Sequence, residues 1–354
     1  GKSTSIEVRE GELEQVEGSE GLSISLRVIN DQKSSIVSCS DANQESLDQL
    51  ARKANEIANE SIPNQYVGLA ENKDLAIKSL IPAIDLSEPE DLFLNDPNKL
   101  TSMALEAENA ALKSEGISKT DGSSASASQS EFFLATSNGF SNGYNKSSYA
   151  IVSSAISGHE SKMERDYAFE QRVYLEDLPQ PETVGILAAK RATMMQGAKK
   201  PITGNYPVIF NERISGSLVG HILAAINGEA ISRGTSWLLN SINSRIVPEN
   251  VSLIEDPHLP RLSGSRPFDA EGLLTKKKSF IENGILMGWV LDLKTSRQLG
   301  LNSSANASRS ATSPPSPSTG NVELTGGEKT LTNLLEEAGE GLMVCSLIGS
   351  SINS

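Results

Sequence analysis

The order of hydrophobic periods constrains this chain most. Period-two alternation comes in long runs, and helical spacing interrupts it only at isolated places. Ile6 and Val8 alternate with polar residues, Arg9–Glu12 gives a turn, and Leu22, Ile24, Leu26 and Val28 alternate again, a pattern that puts all four on one strand face. Asn30-Asp31 marks the next turn and Ile36-Val37 the next strand. Residues 44–60 switch to helical spacing, with Leu47, Leu50, Ala54 and Ala58 in the stripe and Asp41 and Asn43 as N-caps. Further helices are predicted over 97–115, with Pro97 in the first turn and Gly116 past the end, and over 181–195, 214–227 and 331–338.

Between the helices, residues 63–95 read as loop and 124–175 as strand. Phe132, Leu134, Tyr149, Ile151, Ile156 and Tyr174 are the expected inward anchors. Pro207–Phe210 reads as a short buried strand, 273–293 as a hairpin turning at Glu282-Asn283-Gly284, 308–320 as a surface loop, and Leu342–Ile348 as a last strand. Meanders with occasional helices, and no βαβα series, predict an α+β fold. The expectation is antiparallel β-meanders with a few packed helices, an N-terminal α/β-type layer over 1–95, a strand-rich centre over 96–205 and a β-rich C-terminal domain over 206–354. The abrupt ends at Gly1 and Ser354 suggest residues missing on both sides.

Charge and cysteine usage narrow the function classes. The formal charge of −14 repels phosphate backbones, so direct nucleic-acid contact is not expected. Cys39 and Cys345 are too few and too far apart for a disulfide scaffold or a Cys-rich zinc site, and they read as small buried hydrophobes in a reducing compartment. No apolar run approaches the roughly 18 residues of a membrane span, and no secretory leader opens the sequence. A cytoplasmic location away from membranes is expected.

Three histidines, His159, His221 and His258, cannot form a helix-borne metal motif, because no two share a helical face with a carboxylate beside them. His221 reads as a structural histidine, His258 as a hydrogen-bonded loop residue and His159 as exposed. Gly139-Phe140-Ser141-Asn142-Gly143 matches G-x-S-x-G, but a strand pattern follows where a nucleophile elbow needs a helix. Gly326-Gly327-Glu328-Lys329-Thr330 lacks the spacing of a phosphate loop. Lys276-Lys277-Lys278 reads as a solvated strand edge. Two loops mix glycine, arginine and carboxylates, Asn227–Ser236 and Gly264–Gly272; in the second, Arg266 and Asp269 either pair to stiffen the loop or serve a site.

Those loops carry a family likeness. Gly264-Ser265-Arg266-Pro267-Phe268-Asp269 through Glu271-Gly272, then Ile281-Glu282-Asn283-Gly284-Ile285-Leu286, Asp292 and Ser296-Arg297-Gln298-Leu299-Gly300, resemble the C-terminal part of the TldD/PmbA family. Ser137–Phe140 and Ser3–Val8 with Leu13–Glu17 resemble its central and N-terminal parts. The family has a TldD-type subunit with H-E-x-x-x-H on a helix and a later cysteine, and a TldE (PmbA)-type subunit without them. The motif would fall near Val219, Gly220 and Ala224, none of which is a ligand.

The resemblance therefore implies the metal-free subunit, with no catalytic or metal-binding residue and no cofactor of its own. Zinc is expected in a TldD-like partner, and the substrate is an unfolded peptide, either a leader peptide or an antitoxin. Arg233, Arg266 and Asp269 are the residues expected to line or shape the shared peptide chamber or interface. The alternative is a non-enzymatic regulatory protein of the modulator-of-DNA-gyrase type, homodimeric when alone.

Overall fold

The strand pattern at the N-terminus becomes two separate pairings. In the computed structural model, which describes residues 1–90 and 95–349, β1 (Lys2–Arg9) and β2 (Glu12–Glu20) form one hairpin, and β3 (Ile24–Asn30) and β4 (Lys33–Cys39) another. The helix α1 (Gln44–Glu60) lies on the second hairpin and buries Leu50, Ala54 and Ala58. Asn43 caps it by accepting the Ser46 N–H at 2.8 Å, as the sequence suggests. Leu22 falls outside the strand and is exposed, while Ile24, Leu26 and Val28 are half-buried.

Next come α2 (Pro97–Leu112), β5 (Ile117–Ala135), β6 (Ser141–Ser157), β7 (Glu164–Arg172) and α3 (Pro181–Met194). An antiparallel sheet is ordered β2-β1-β5-β6-β7, so hydrogen bonds run from the first hairpin into the central strands, across residue 95. Period-two burial puts Ile6, Val8, Ala125, Ala127, Tyr149 and Ile151 on one face, covered by α2 and α3. Ile156 is one residue out of phase with Tyr149, Ile151 and Ala155, so it is only half-buried rather than an inward anchor. Tyr174 is likewise displaced by its neighbour Val173. Glu108, fully buried on α2, fixes the β1–β2 turn by accepting the Glu10 and Gly11 N–H groups, both at 3.0 Å, and the Thr120 hydroxyl at 2.6 Å.

The last part contains β8 (Val208–Phe210), α4 (Glu212–Ala225), α5 (Gly228–Ser232), β9 (Ser252–Glu255), β10 (Lys278–Glu282), β11 (Ile285–Leu286), α6 (Leu293–Leu299), β12 (Ala307–Ser308), β13 (Ser316–Pro317), β14 (Val322–Thr325), α7 (Leu331–Ala338) and β15 (Leu342–Val344). A sheet ordered β11-β10-β9-β14 packs on Ile226, Ile231, Leu238 and Trp289. The fold is α+β as expected, with the antiparallel sheets and packed helices predicted.

Several local expectations are corrected. The hairpin turn at Asn283 and Gly284 forms, both with positive φ (48° and 82°), but its return strand ends at Leu286. Beyond it Val290 bridges in parallel to Asn227, and α6 begins under a capping box in which Asp292 accepts the Thr295 N–H at 2.8 Å. The strand Pro207–Phe210 is not buried: Val208 and Phe210 are well exposed, because β8 belongs to a two-stranded sheet with β15 and, among the described residues, α7 covers it only in part. The final strand stops at Val344. The Ser- and Pro-rich stretch closes on itself through β12 and β13, burying Ala307 and Pro317, so it is only partly a surface loop. Among the described residues no helix is long and apolar enough to cross a membrane.

Candidate functional site

The loop 264–272 sits where the three parts of the chain meet. Phe268 is 1 % exposed and packs edge-on against Phe140 at 4.9 Å and Tyr144 at 5.4 Å between ring centroids, joining the C-terminal part to the β5–β6 turn. Gly272, with φ +83°, is required there, since a Cβ would lie 2.9 Å from the Phe140 ring. Ser141 opens β6 and no helix follows it, so the G-x-S-x-G stretch lacks the elbow geometry.

Arg266 and Asp269 do not pair with each other. Both hold Ala307 instead: Arg266 donates to its carbonyl at 3.3 Å and to the Ser318 carbonyl at 2.6 Å, while Asp269 accepts the Ala307 N–H at 3.1 Å. Asp269 also accepts the Glu271 and Leu273 N–H groups at 2.9 and 3.0 Å. Burial raises its pKa, and these backbone donors oppose the rise. Arg233 caps α5, is exposed, and lies 3.9 Å from Glu229; no contact among the described residues ties it to the other two.

Lys276 and Lys277 are exposed, but Lys278 is not a solvated edge residue. β10 lies inside its sheet, and the Lys278 ammonium turns inward to Glu255 at 3.4 Å, Asn306 Oδ1 at 2.9 Å and the Ser304 carbonyl. Glu255 is 1 % exposed and also accepts from Asn306 Nδ2 at 2.8 Å and the Gly320 N–H at 2.6 Å. His258 is held in its loop by Thr275, 3.0 Å from Nε2; His159 is exposed and His221 half-buried. Cys39 and Cys345 are free and half-buried rather than buried.

Sequence reasoning missed Arg27, Glu271 as a titrating group, and Arg309. Glu271 is buried, its Oε2 accepting the Leu293 N–H at 2.8 Å and its Oε1 lying 4.0 Å from Arg27. Burial, then the neighbouring Asp269 and Asp292, push its pKa up to about 8, against the Leu293 N–H and Arg27; Arg309 also faces it. Its folded pKa lies above the ordinary 4.5, so the folded chain keeps a proton that the unfolded chain releases. Stability should therefore fall as pH rises from about 4.5 through about 8, by at most about 5 kcal/mol, and level off above that. Glu271→Gln is expected to flatten this slope and to be the more stable form at pH 8.5. Urea titrations at several pH values test it, and parallel profiles for the two proteins would refute it.

The metal motif fares as its residue types dictate. Val219, Gly220 and Ala224 lie on α4, with Gly220 and Ala224 exposed, and none has a ligating atom. Among the described residues no group of three or more His, Cys, Asp or Glu side chains is arranged to hold a metal ion. The donor set does not fit a zinc ion.

The matching family models decide the relationship. The PmbA/TldA metallopeptidase domain 1 matches residues 1–58, the central domain 89–196, and the C-terminal domain 203–354. This chain belongs to the PmbA/TldA metallopeptidase family. The metalloprotease PmbA of Escherichia coli O157:H7 is 30% identical over 351 residues, 99% of this chain and 75% of that protein. A solved structure from Bacteroides thetaiotaomicron, assigned as a modulator of DNA gyrase, is 25% identical with a TM-score of 0.87, covering 100% of this chain and 77% of that one. TldE from Thermococcus kodakarensis shares the fold at TM-score 0.83 and 21% identity, covering 99% and 78%. These matches bear out the TldD/PmbA resemblance read from Ser3–Val8, Leu13–Glu17, Ser137–Phe140 and the stretches 264–272 and 281–300.

Proposed function

We propose that this chain is the metal-free subunit of a two-subunit peptidase and closes a chamber that holds an unfolded peptide. The observation that carries this is α4: the family fold is present around it, yet Val219, Gly220 and Ala224 stand where ligands would be needed. A TldD-like partner would contribute zinc, which polarises a peptide carbonyl and activates water. An exposed apolar area supports pairing. β8 leaves Val208 and Phe210 uncovered, and α7, which touches β8, leaves Leu331, Leu334 and Leu335. In this reading Arg233 is free to face the chamber, while Arg266 and Asp269 shape it by holding Ala307. The proposed setting is the cytoplasm, which suits two free cysteines.

The test is co-purification with a TldD-like partner, followed by peptidase assays on an unfolded peptide. The expected result is a stable complex whose activity exceeds that of the partner alone. Identical activity with and without this chain would reject the proposal. The regulatory reading draws on the Bacteroides structure and the −14 charge, which permits a protein partner. It predicts a homodimer by native mass that does not dissociate when the partner is added.

A further inference from the structure

A cavity of about 230 Å³ lies between β3, the turn after β5, and the C-terminal residues Glu271, Leu293 and Arg309. Two guanidinium groups reach it. The Arg27 side chain is 12 % exposed, its Nε is buried without a partner, and its nearest carboxylate oxygen is Glu271 Oε1 at 4.0 Å. Arg309 is half-buried, and among the described residues it donates no hydrogen bond. Ser25 Oγ, two residues before Arg27 and so on the same strand face, is also buried and unpartnered.

A guanidinium carries five N–H donors, and leaving them unmatched out of water is costly. Glu271 does not match them: one oxygen is taken by the Leu293 N–H and the other is too far for a hydrogen bond. Two cations face one space with a single carboxyl among its side chains, beside the hydroxyl residues Ser25, Thr136 and Ser137, so the site lacks a matching anion. A carboxylate fits it, because each guanidinium can bind both of its oxygens. Leu26, Ile29, Leu69, Leu134 and Leu293 are the large apolar residues of the lining, which favours an acid on an aliphatic stem over a bare inorganic anion.

We propose that this cavity is a binding site for a carboxylate-bearing peptide group, an acidic side chain or a chain terminus, gripped by Arg27 and Arg309. The site is complete within this chain and does not depend on a partner subunit; only the choice of a peptide as the acid rests on the function proposed above. Arg27 comes from the N-terminal part and Arg309 from the C-terminal part, so a bound acid bridges the two.

The experiment is calorimetric titration of the full chain, alone, with four probes. They are a blocked Ala-Glu-Ala amide, an acetylated Ala-Ala-Ala acid, a blocked Ala-Gln-Ala amide, and inorganic phosphate. Saturable binding of one of the two acids, absent for the neutral amide and weaker for phosphate, is expected, and the acid that binds identifies the source of the carboxylate. Arg27→Met and Arg309→Met should each weaken it by about tenfold or more. Arg309→Met changes a half-buried loop residue, and a thermal melt confirms that each variant is folded. No acid binding, equal binding of the neutral amide, phosphate binding as tightly as the acids, or folded arginine variants that bind like the parent would each overturn the site. Loss of co-purification with a TldD-like partner would leave these titrations unchanged, so the two proposals fail separately.

Discussion

Replacing Lys278 by Met is expected to destabilise the C-terminal domain by about 3 kcal/mol, near the lower end of the range for breaking a buried ion pair because the lysine keeps some solvent contact. The cause is the group left behind. Glu255 is 1 % exposed, and Lys278 is the cation beside it at 3.4 Å. Asn306 and the Gly320 N–H would still donate to Glu255, which limits the loss without removing the uncompensated charge. The double variant Glu255→Gln with Lys278→Met removes that charge and should recover part of the loss. Urea unfolding of both variants measures the difference. A single variant within 0.5 kcal/mol or so of the parent would show that the pair carries no structural role.

Gly185→Ala should cost a similar amount, about 3 kcal/mol, although alanine is the better helix former. A Cβ at Gly185 would lie 2.0 Å from the Ala107 carbonyl oxygen and 3.0 Å from the Ala111 nitrogen, so α2 and α3 would have to move apart. That contact is close because both helices present alanines to it and to the sheet, among them Ala104, Ala107, Ala188 and Ala192, all fully buried. The control is Gly216→Ala on α4, where a Cβ would meet nothing within 4 Å. There the same substitution should stabilise by up to about 1 kcal/mol through helix propensity alone. Thermal melts of the two variants should move in opposite directions, and a parallel shift would contradict the packing argument.

These cases show what was legible before folding. Helix α1 was readable because its stripe and its Asn43 cap agree, and the Asn283-Gly284 turn because Asn-Gly is the pair that most favours positive φ in succession. α6 was signposted too, by Asp292 at its start and Gly300 at its left-handed end, but a seven-residue helix is too short to show a period. Ile156 is apolar but out of phase with Tyr149 and Ile151, so the period and not the residue type decides that it is only half-buried. Lys278 and Arg27 looked like ordinary polar strand positions; nothing adjacent in sequence names Glu255 or Arg309 as what they face.

The sequence by itself determined the α+β class, the sites of the longer helices, and the lack of ligating side chains at Val219, Gly220 and Ala224, because periodicity and residue chemistry are local properties. Only the tertiary structure decided that Arg266 and Asp269 grip Ala307 rather than each other, and that Glu271 is buried near Asp269, Asp292 and Arg27. It also brought Arg27 and Arg309, 282 residues apart in number, to one cavity. Burial and long-range proximity set those outcomes, and neither is written in the neighbours of a residue along the chain.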